Sequence, residues 1–199
     1  MIGFCGRAVR VVAPILALSG CATVRRVELR PDYDAVDRTR TLRLIAVTAP
    51  PPAGDPKLGE LWSLIARRYA NHHRDFIVSR HAWGEAVPAD ACSGATQGVL
   101  RLTPTVARRK DGEAEVGVVA RLSRCADGVT VWEAEAAGAW PERDESVAEL
   151  TARYADELGG GIRPWVAASF HLLRHALDEL PHPKLSADQD ILEKVELGE

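Results

Sequence analysis

The sequence predicts an α+β protein, and three observations support that fold class. A nearly continuous apolar run at 41–48 is followed by an amphipathic stretch and a second short apolar run, which is typical of a βαβ unit. Apolar and polar residues then alternate from 98 to 139 across two tight turns, and two further amphipathic stretches close the chain. We therefore expect a βαβ unit, an antiparallel three-stranded meander and two C-terminal helices packed on the sheet, in one domain at 41–182.

The βαβ unit is predicted from apolar spacing and chain breakers. Residues 41–48 lack polar alternation, which suits a strand covered on both faces, and the Pro-rich segment 49–54 ends it. Asp55 and Pro56 are expected to begin a helix as its N-cap and first residue. The apolar side of that helix consists of Leu58, Leu61, Trp62, Ile65 and Tyr69. With a short strand at 76–79, this order predicts a parallel strand pair.

The meander is predicted at 98–108, 115–124 and 129–139, after an irregular stretch at 81–97. An Asp-Gly pair marks each of the two turns between these strands. Alternation gives the strands one buried and one solvent face, so their acidic residues are expected on the solvent side. The acidic residues of this region are Asp111, Glu113, Glu115, Glu133 and Glu135.

Two helices are expected to complete the domain, at 145–158 and 162–180. The triple glycine at 159–161 separates them and is interpreted as a helix stop. It is not a phosphate-binding loop, because it follows a helix and lacks the Gly-Lys-Ser/Thr ending. A C-terminal tail at 183–199 is expected to carry a short helix beginning at Ser186.

Residues 1–20 have the three parts of a secretory signal. A start with two arginines precedes an apolar run at 11–18, which the small residues Ser19 and Gly20 follow. The run is far shorter than the roughly 20 apolar residues of a transmembrane helix. The chain is therefore expected to be exported and to lose this segment.

The quartet Leu18-Ser19-Gly20-Cys21 resembles the lipobox of bacterial lipoproteins. The resemblance implies cleavage between Gly20 and Cys21, a lipid on the Cys21 sulfur and commonly a second acylation at the new amino terminus. Ala22 is not the Asp that retains enterobacterial lipoproteins in the inner membrane, so the resemblance favours the outer membrane, facing the periplasm. The alternative is an ordinary signal peptide with a cysteine nearby. Residues 21–40 are rich in charge and are interpreted as the lipidated N-terminus and a flexible tether.

Composition and cysteine usage narrow the possible partners. The formal net charge is −3, and an acidic chain argues against a nucleic-acid partner. Cys92 and Cys125 remain as a pair in the exported domain, so we predict a disulfide; the alternative is two buried free thiols. Neither cysteine has a CxxC partner or a nearby histidine, so a metal site is not expected.

His171, His175 and Asp178 are the strongest candidates for chemistry. The two histidines lie four residues apart on one helix face, a spacing that can bind a divalent metal. Leu172 stands where a His-Glu-x-x-His protease has its glutamate, so a polar outer face is the plainer interpretation. With no Gly-x-Ser-x-Gly motif either, we expect no catalytic residue, no metal and no cofactor.

The chain resembles small periplasmic α+β lipoproteins through its lipobox, the strand at 42–48, the helix at 58–69 and the Asp127-Gly128 turn before Trp132. It is similar to accessory domains of the curli-secretion lipoprotein and of penicillin-binding-protein activators. The segments 121–140 and 171–181 are closer to an uncharacterised lipoprotein family of myxobacteria and leptospires, which brings no known activity.

Three functions are compatible with these features. The first is a non-enzymatic binding or assembly module held at the outer membrane by the lipid on Cys21, with an envelope protein as partner and no nucleic acid. The second is an accessory lipoprotein of a lipid or solute transporter, which predicts an apolar groove between helices and sheet. The third is a metal-dependent hydrolase, which requires a third ligand near His171 and His175.

Overall fold

The structure is a computed structural model that describes residues 23–38 and 42–186. The signal peptide, Cys21 and the short helix expected after Ser186 lie outside these ranges. The strands are β1 Thr23–Leu29, β2 Arg43–Thr48, β3 Ile77–Trp83, β4 Gly98–Lys110, β5 Glu113–Arg124 and β6 Thr130–Pro141. The α-helices are α1 Tyr33–Val36, α2 Leu58–His73, α3 Ala148–Leu158 and α4 Arg163–Asp178, and short 3₁₀ helices at Glu145–Val147 and Gly160–Ile162 precede the last two.

The strands form one six-stranded mixed sheet in the order β1-β6-β5-β4-β2-β3. Strand β2 is parallel to both β3 and β4, and the remaining neighbours are antiparallel. The α+β class, the parallel β2–β3 pair joined through α2 and the C-terminal helices were all predicted from sequence, and the structure confirms them.

The meander was predicted to have three strands. This number is wrong, because β1 adds a fourth antiparallel strand on the far side of β6. The flexible tether was expected where β1 and α1 lie, so that prediction is wrong for the part of 21–40 that the structure describes. Val24 packs against the core, whereas Val27 and Leu29 stay 42% and 41% exposed. An edge strand with one solvent face tolerates the charges that suggested a linker.

Several element boundaries also differ from the expected ones. Strand β3 continues to Trp83, into the stretch expected to be irregular. Asp55 does not cap α2, whose N-cap is Lys57; instead the Asp55 carboxylate accepts the Lys57 backbone N–H at 2.8 Å in the preceding turn. The helix expected from 145 begins as a 3₁₀ turn capped by Asp144.

Helices α2 and α4 cover one face of the sheet and enclose the main core. Trp62 is fully buried, and its indole N–H donates a hydrogen bond to the Ser169 hydroxyl at 2.8 Å, which joins the two helices. Trp132 reaches the same side from β6 and donates to the Glu179 carbonyl at 3.2 Å. Large apolar side chains therefore fill the interface between helices and sheet, with their polar atoms paired.

Candidate functional site

The predicted cleavage site between Gly20 and Cys21, and the predicted lipid attachment at Cys21, precede the described part of the chain. Ala22 alone separates Cys21 from Thr23, where β1 begins. None of the helices in the described ranges is both long and apolar enough to cross a membrane.

Cys92 and Cys125 form the predicted disulfide. Their Cα atoms are 5.4 Å apart, within the usual range, and 33 positions separate them in sequence. The bond fastens the β3–β4 loop to the end of β5, where the Cys125 backbone N–H also donates to the Gln97 carbonyl at 2.8 Å. Beneath that loop lies a second small core on the outer face of the sheet, formed by Ile45, Val47, Ala91 and Val99.

A cavity of about 500 Å³ opens beside the disulfide. Asp37 lines it with 1% of its surface exposed, and one carboxylate oxygen lies 3.3 Å from the Arg124 guanidinium. The other carboxylate oxygen and the hydroxyl of buried Tyr33 have no hydrogen-bond partner. Burial, followed by the nearby Asp37 charge, raises the pKa of Tyr33 to about 12.

Sequence reasoning missed both this cavity, which Asp37 lines, and the buried Tyr33, because the two residues lie in the segment interpreted as a tether. The aromatic side chain of Tyr33 was the available signal, because a large aromatic residue indicates burial and is unusual in a solvated, charged linker. The Asp37–Arg124 contact spans 87 positions of the sequence and no local pattern predicts it.

His171 and Asp178 contact different partners and do not converge on one centre. The His171 ring stacks on Trp140 with centroids 5.9 Å apart, and its Nε2 lies 2.8 Å from the Asp144 carboxylate. The Tyr69 hydroxyl donates to the Asp178 carboxylate; burial and that hydrogen bond raise the pKa of Tyr69 to about 12. Within residues 23–38 and 42–186, no group of three or more His, Cys, Asp or Glu side chains could hold a metal ion.

The Asp144 carboxylate also organises the start of the C-terminal helical region. It accepts the Ser146 backbone N–H at 2.9 Å and the Ser146 hydroxyl at 2.7 Å. These hydrogen bonds, the one from the Ser146 side chain first and that of His171 next, lower the pKa of Asp144. Because Ser146 donates to the aspartate and not to the histidine, this group is not a nucleophilic triad.

The acidic residues of the meander lie on the outer face of the sheet, as predicted. Glu115, Glu133 and Glu135 form ion pairs with arginines of neighbouring strands: Arg108–Glu115, Arg121–Glu133 and Arg25–Glu135. Asp111 and Glu113 are exposed at the turn between β4 and β5. The pairs are solvent-exposed, so each contributes little to stability, but they leave this face with both charge signs interspersed.

Comparison with known proteins gives similarity at the level of fold. No protein-family model matches the chain, and no curated protein matches its sequence. Among solved structures, a PelC dodecamer from Paraburkholderia phytofirmans is 20% identical, with a TM-score of 0.53 over 83% of this chain and 99% of that chain. A single-substitution variant of the same dodecamer is 18% identical, with the same score and coverage.

Proposed function

We propose that this chain is a lipoprotein anchored in the outer membrane through Cys21, facing the periplasm, and that it acts as a non-enzymatic binding or assembly module of the cell envelope. The observation that carries the proposal is the quartet Leu18-Ser19-Gly20-Cys21 at the end of a signal-like apolar run. The lipid anchors the domain, since two acyl chains hold a protein at a bilayer where one would dissociate.

The disulfide supports export from the cytoplasm. Disulfides persist in the bacterial periplasm and are rare in the reducing cytosol. The Cys92–Cys125 bond fastens the loop over the second core, so an oxidising compartment stabilises this fold. Once Cys21 carries lipid, the mature chain has no free thiol left to mispair, because Cys5 is removed with the signal.

The position of β1 supports a role in assembly. A domain whose edge strand starts next to its lipid is held close to the membrane surface, with the open side of that strand available to other proteins. The two solved structures of similar fold named above are PelC dodecamers. Self-association is therefore part of the proposal, alongside binding to another envelope protein.

The two alternative functions receive less support. A transporter accessory with an apolar groove between helices and sheet is disfavoured, because buried side chains such as Trp62 and Trp132 fill that interface. A metal-dependent hydrolase needs a third ligand near His171, whereas the closest acidic partner, Asp144, caps a helix. A pull-down from crosslinked membranes separates the first two functions, since a transport permease as the main partner would favour the accessory role.

Membrane fractionation tests the anchoring. The wild-type protein should sediment with outer membranes and be released by detergent but not by salt, and Cys21→Ser should move it to the soluble fraction. Ala22→Ser is the matched control: it changes the neighbouring residue but keeps the Cys21 thiol and the Cys92–Cys125 bond, so it should stay with the membrane. Unchanged sedimentation of Cys21→Ser would contradict the proposal.

A further inference from the structure

Among the residues that the structure describes, strand β1 leaves one edge of the sheet open. It is the terminal strand, paired with β6 on one side and with no described strand on the other. The Arg30 backbone N–H donates to the Val131 carbonyl at 2.9 Å, so alternation along an antiparallel pair directs the N–H and C=O groups of Val27 and Leu29 away from the sheet. The side chains of both residues are also exposed.

The opposite edge of the sheet is closed to strand addition near its start. The Asn71 side chain accepts the Val78 backbone N–H at 2.7 Å, and the Arg67 guanidinium donates to the Val78 carbonyl at 3.2 Å. Because α2 occupies these groups, β3 offers less of its edge than β1 does. A strand added to this sheet therefore fits best along β1.

The sequence of β1 is complementary to itself. Arg26 and Glu28 flank Val27, point to the outer face of the sheet and are both exposed, with Arg26 Nε 3.0 Å from a Glu28 carboxylate oxygen. If two copies pair antiparallel around a two-fold axis through Val27, Arg26 of each copy lies opposite Glu28 of the other. Opposite charges directly across an antiparallel pair are stabilising.

Of this register and the two adjacent ones, only this one places opposite charges across from each other. Hydrogen bonding requires the outward-directed residues of the two strands to face each other, so the register changes in steps of two. One step sets Glu28 against Glu28, and one step the other way sets Arg26 against Arg26. Like charges directly opposite each other are destabilising, so both shifts are disfavoured.

We propose that β1 of a second copy of this chain pairs with β1 of the first. The two strands are antiparallel and centred on Val27, and they join two six-stranded sheets across a two-fold axis. The pairing satisfies the outward backbone groups of Val27 and brings the two Val27 side chains together on the helix side of the sheet. The inference deepens the self-association within the proposed function and rests on it.

Variants that each add one cysteine to β1 test the register. Opposed residues in a hydrogen-bonded antiparallel pair have Cα atoms about 5.5 Å apart, within the range of a disulfide. Purified mature Val27→Cys in detergent should therefore oxidise to a covalent dimer. Leu29→Cys is the matched control, because its exposure is nearly equal (41% against 42%). In this register its two copies lie about 13 Å apart, so its dimer yield should be about tenfold lower.

Charge exchange tests the complementarity without a crosslink. Arg26→Glu sets like charges opposite each other, and Glu28→Arg does the same, so each should shift the mass measured by light scattering towards the monomer. The double exchange Arg26→Glu/Glu28→Arg restores opposite charges and should restore the dimer. Equal crosslinking at 27 and 29, or no rescue by the double exchange, would overturn the proposal.

The same preparations separate this inference from the proposed function. If Val27→Cys remains monomeric while the protein still sediments with membranes, only the β1 pairing fails. If the wild-type protein is soluble, the anchoring fails, and the crosslinking can still be measured on that soluble protein. Loss of membrane retention in Val27→Asp, without any dimer in the wild type, would assign the exposed strand to lipid contact and overturn the pairing.

Discussion

The Cys92 and Cys125 sulfurs are bonded across 33 positions of the sequence and join the loop after β3 to the end of β5. The loop in turn packs Ala91 onto Ile45 and Val47, so the bond closes a small core that the helices do not reach. Arg80 reinforces the closure by donating to the Asp90 carboxylate at 2.8 Å and to the Asp90 carbonyl at 2.9 Å.

Removing this disulfide should lower the free energy of unfolding by about 3 to 4 kcal/mol, the chain-entropy value for a loop of this length. We expect this for Cys92→Ala/Cys125→Ala in urea denaturation followed by tryptophan fluorescence. Reductant should destabilise the wild-type protein by a similar amount and leave the double variant unchanged. A wild type that is insensitive to reductant, with both thiols free in peptide mass spectra, would contradict the bond.

We expect the Trp62–Ser169 hydrogen bond to contribute more to the free energy of unfolding than a hydrogen bond within one helix does. Ser169→Ala leaves a fully buried indole N–H without a partner, at a cost of about 1 to 3 kcal/mol in the free energy of unfolding. Ser63→Ala is the control, because Ser63 is equally buried but donates only to the Glu60 carbonyl of its own helix. Equal losses in the two variants would mean that the contact between the helices contributes nothing specific.

The Asp144 carboxylate should make stability depend on pH on the acid side. Its pKa is lowered in the folded state from the ordinary value of 3.8, so its contribution is fully present above that value. The contribution is lost as the pH falls through the lower folded pKa. Asp144→Ala should therefore cost about 1 kcal/mol at neutral pH, as loss of an N-cap does, and progressively less below pH 3.8.

Urea denaturation of both proteins across the acid range measures this difference. Asp156→Ala removes an exposed carboxylate from α3 and serves as the control for a change of one charge. A destabilisation by Asp144→Ala that stays constant with pH would assign the effect to packing and not to the charged cap.

The elements that sequence predicts well are those with a regular apolar period. Strands β4 to β6 alternate with buried residues such as Val116 and Val118, and α2 and α4 carry continuous apolar stripes. The Cys92–Cys125 pairing was also predictable, because Cys5 was assigned to the predicted signal and Cys21 to the predicted lipid, which left one pair.

The parts that sequence missed depend on contacts between distant residues. Strand β1 has a solvent face, and Val24 is its one residue that packs on the core within the described part of the chain. Its charged residues therefore obscure the apolar alternation that would predict a strand. Asp37 is buried because Arg124 is brought to it by the sheet, and His171 meets Asp144 only after α3 and α4 fold back on each other. Local periodicity contains no information on such pairs.

The mass of the mature amino terminus tests the central claim most directly. The protein is purified from its own membranes, digested and analysed by mass spectrometry for the peptide that begins at Cys21. The proposal predicts a chain cleaved after Gly20, with lipid on the Cys21 sulfur and acylation of its amino group. A peptide that starts elsewhere, or an unmodified Cys21, would contradict it.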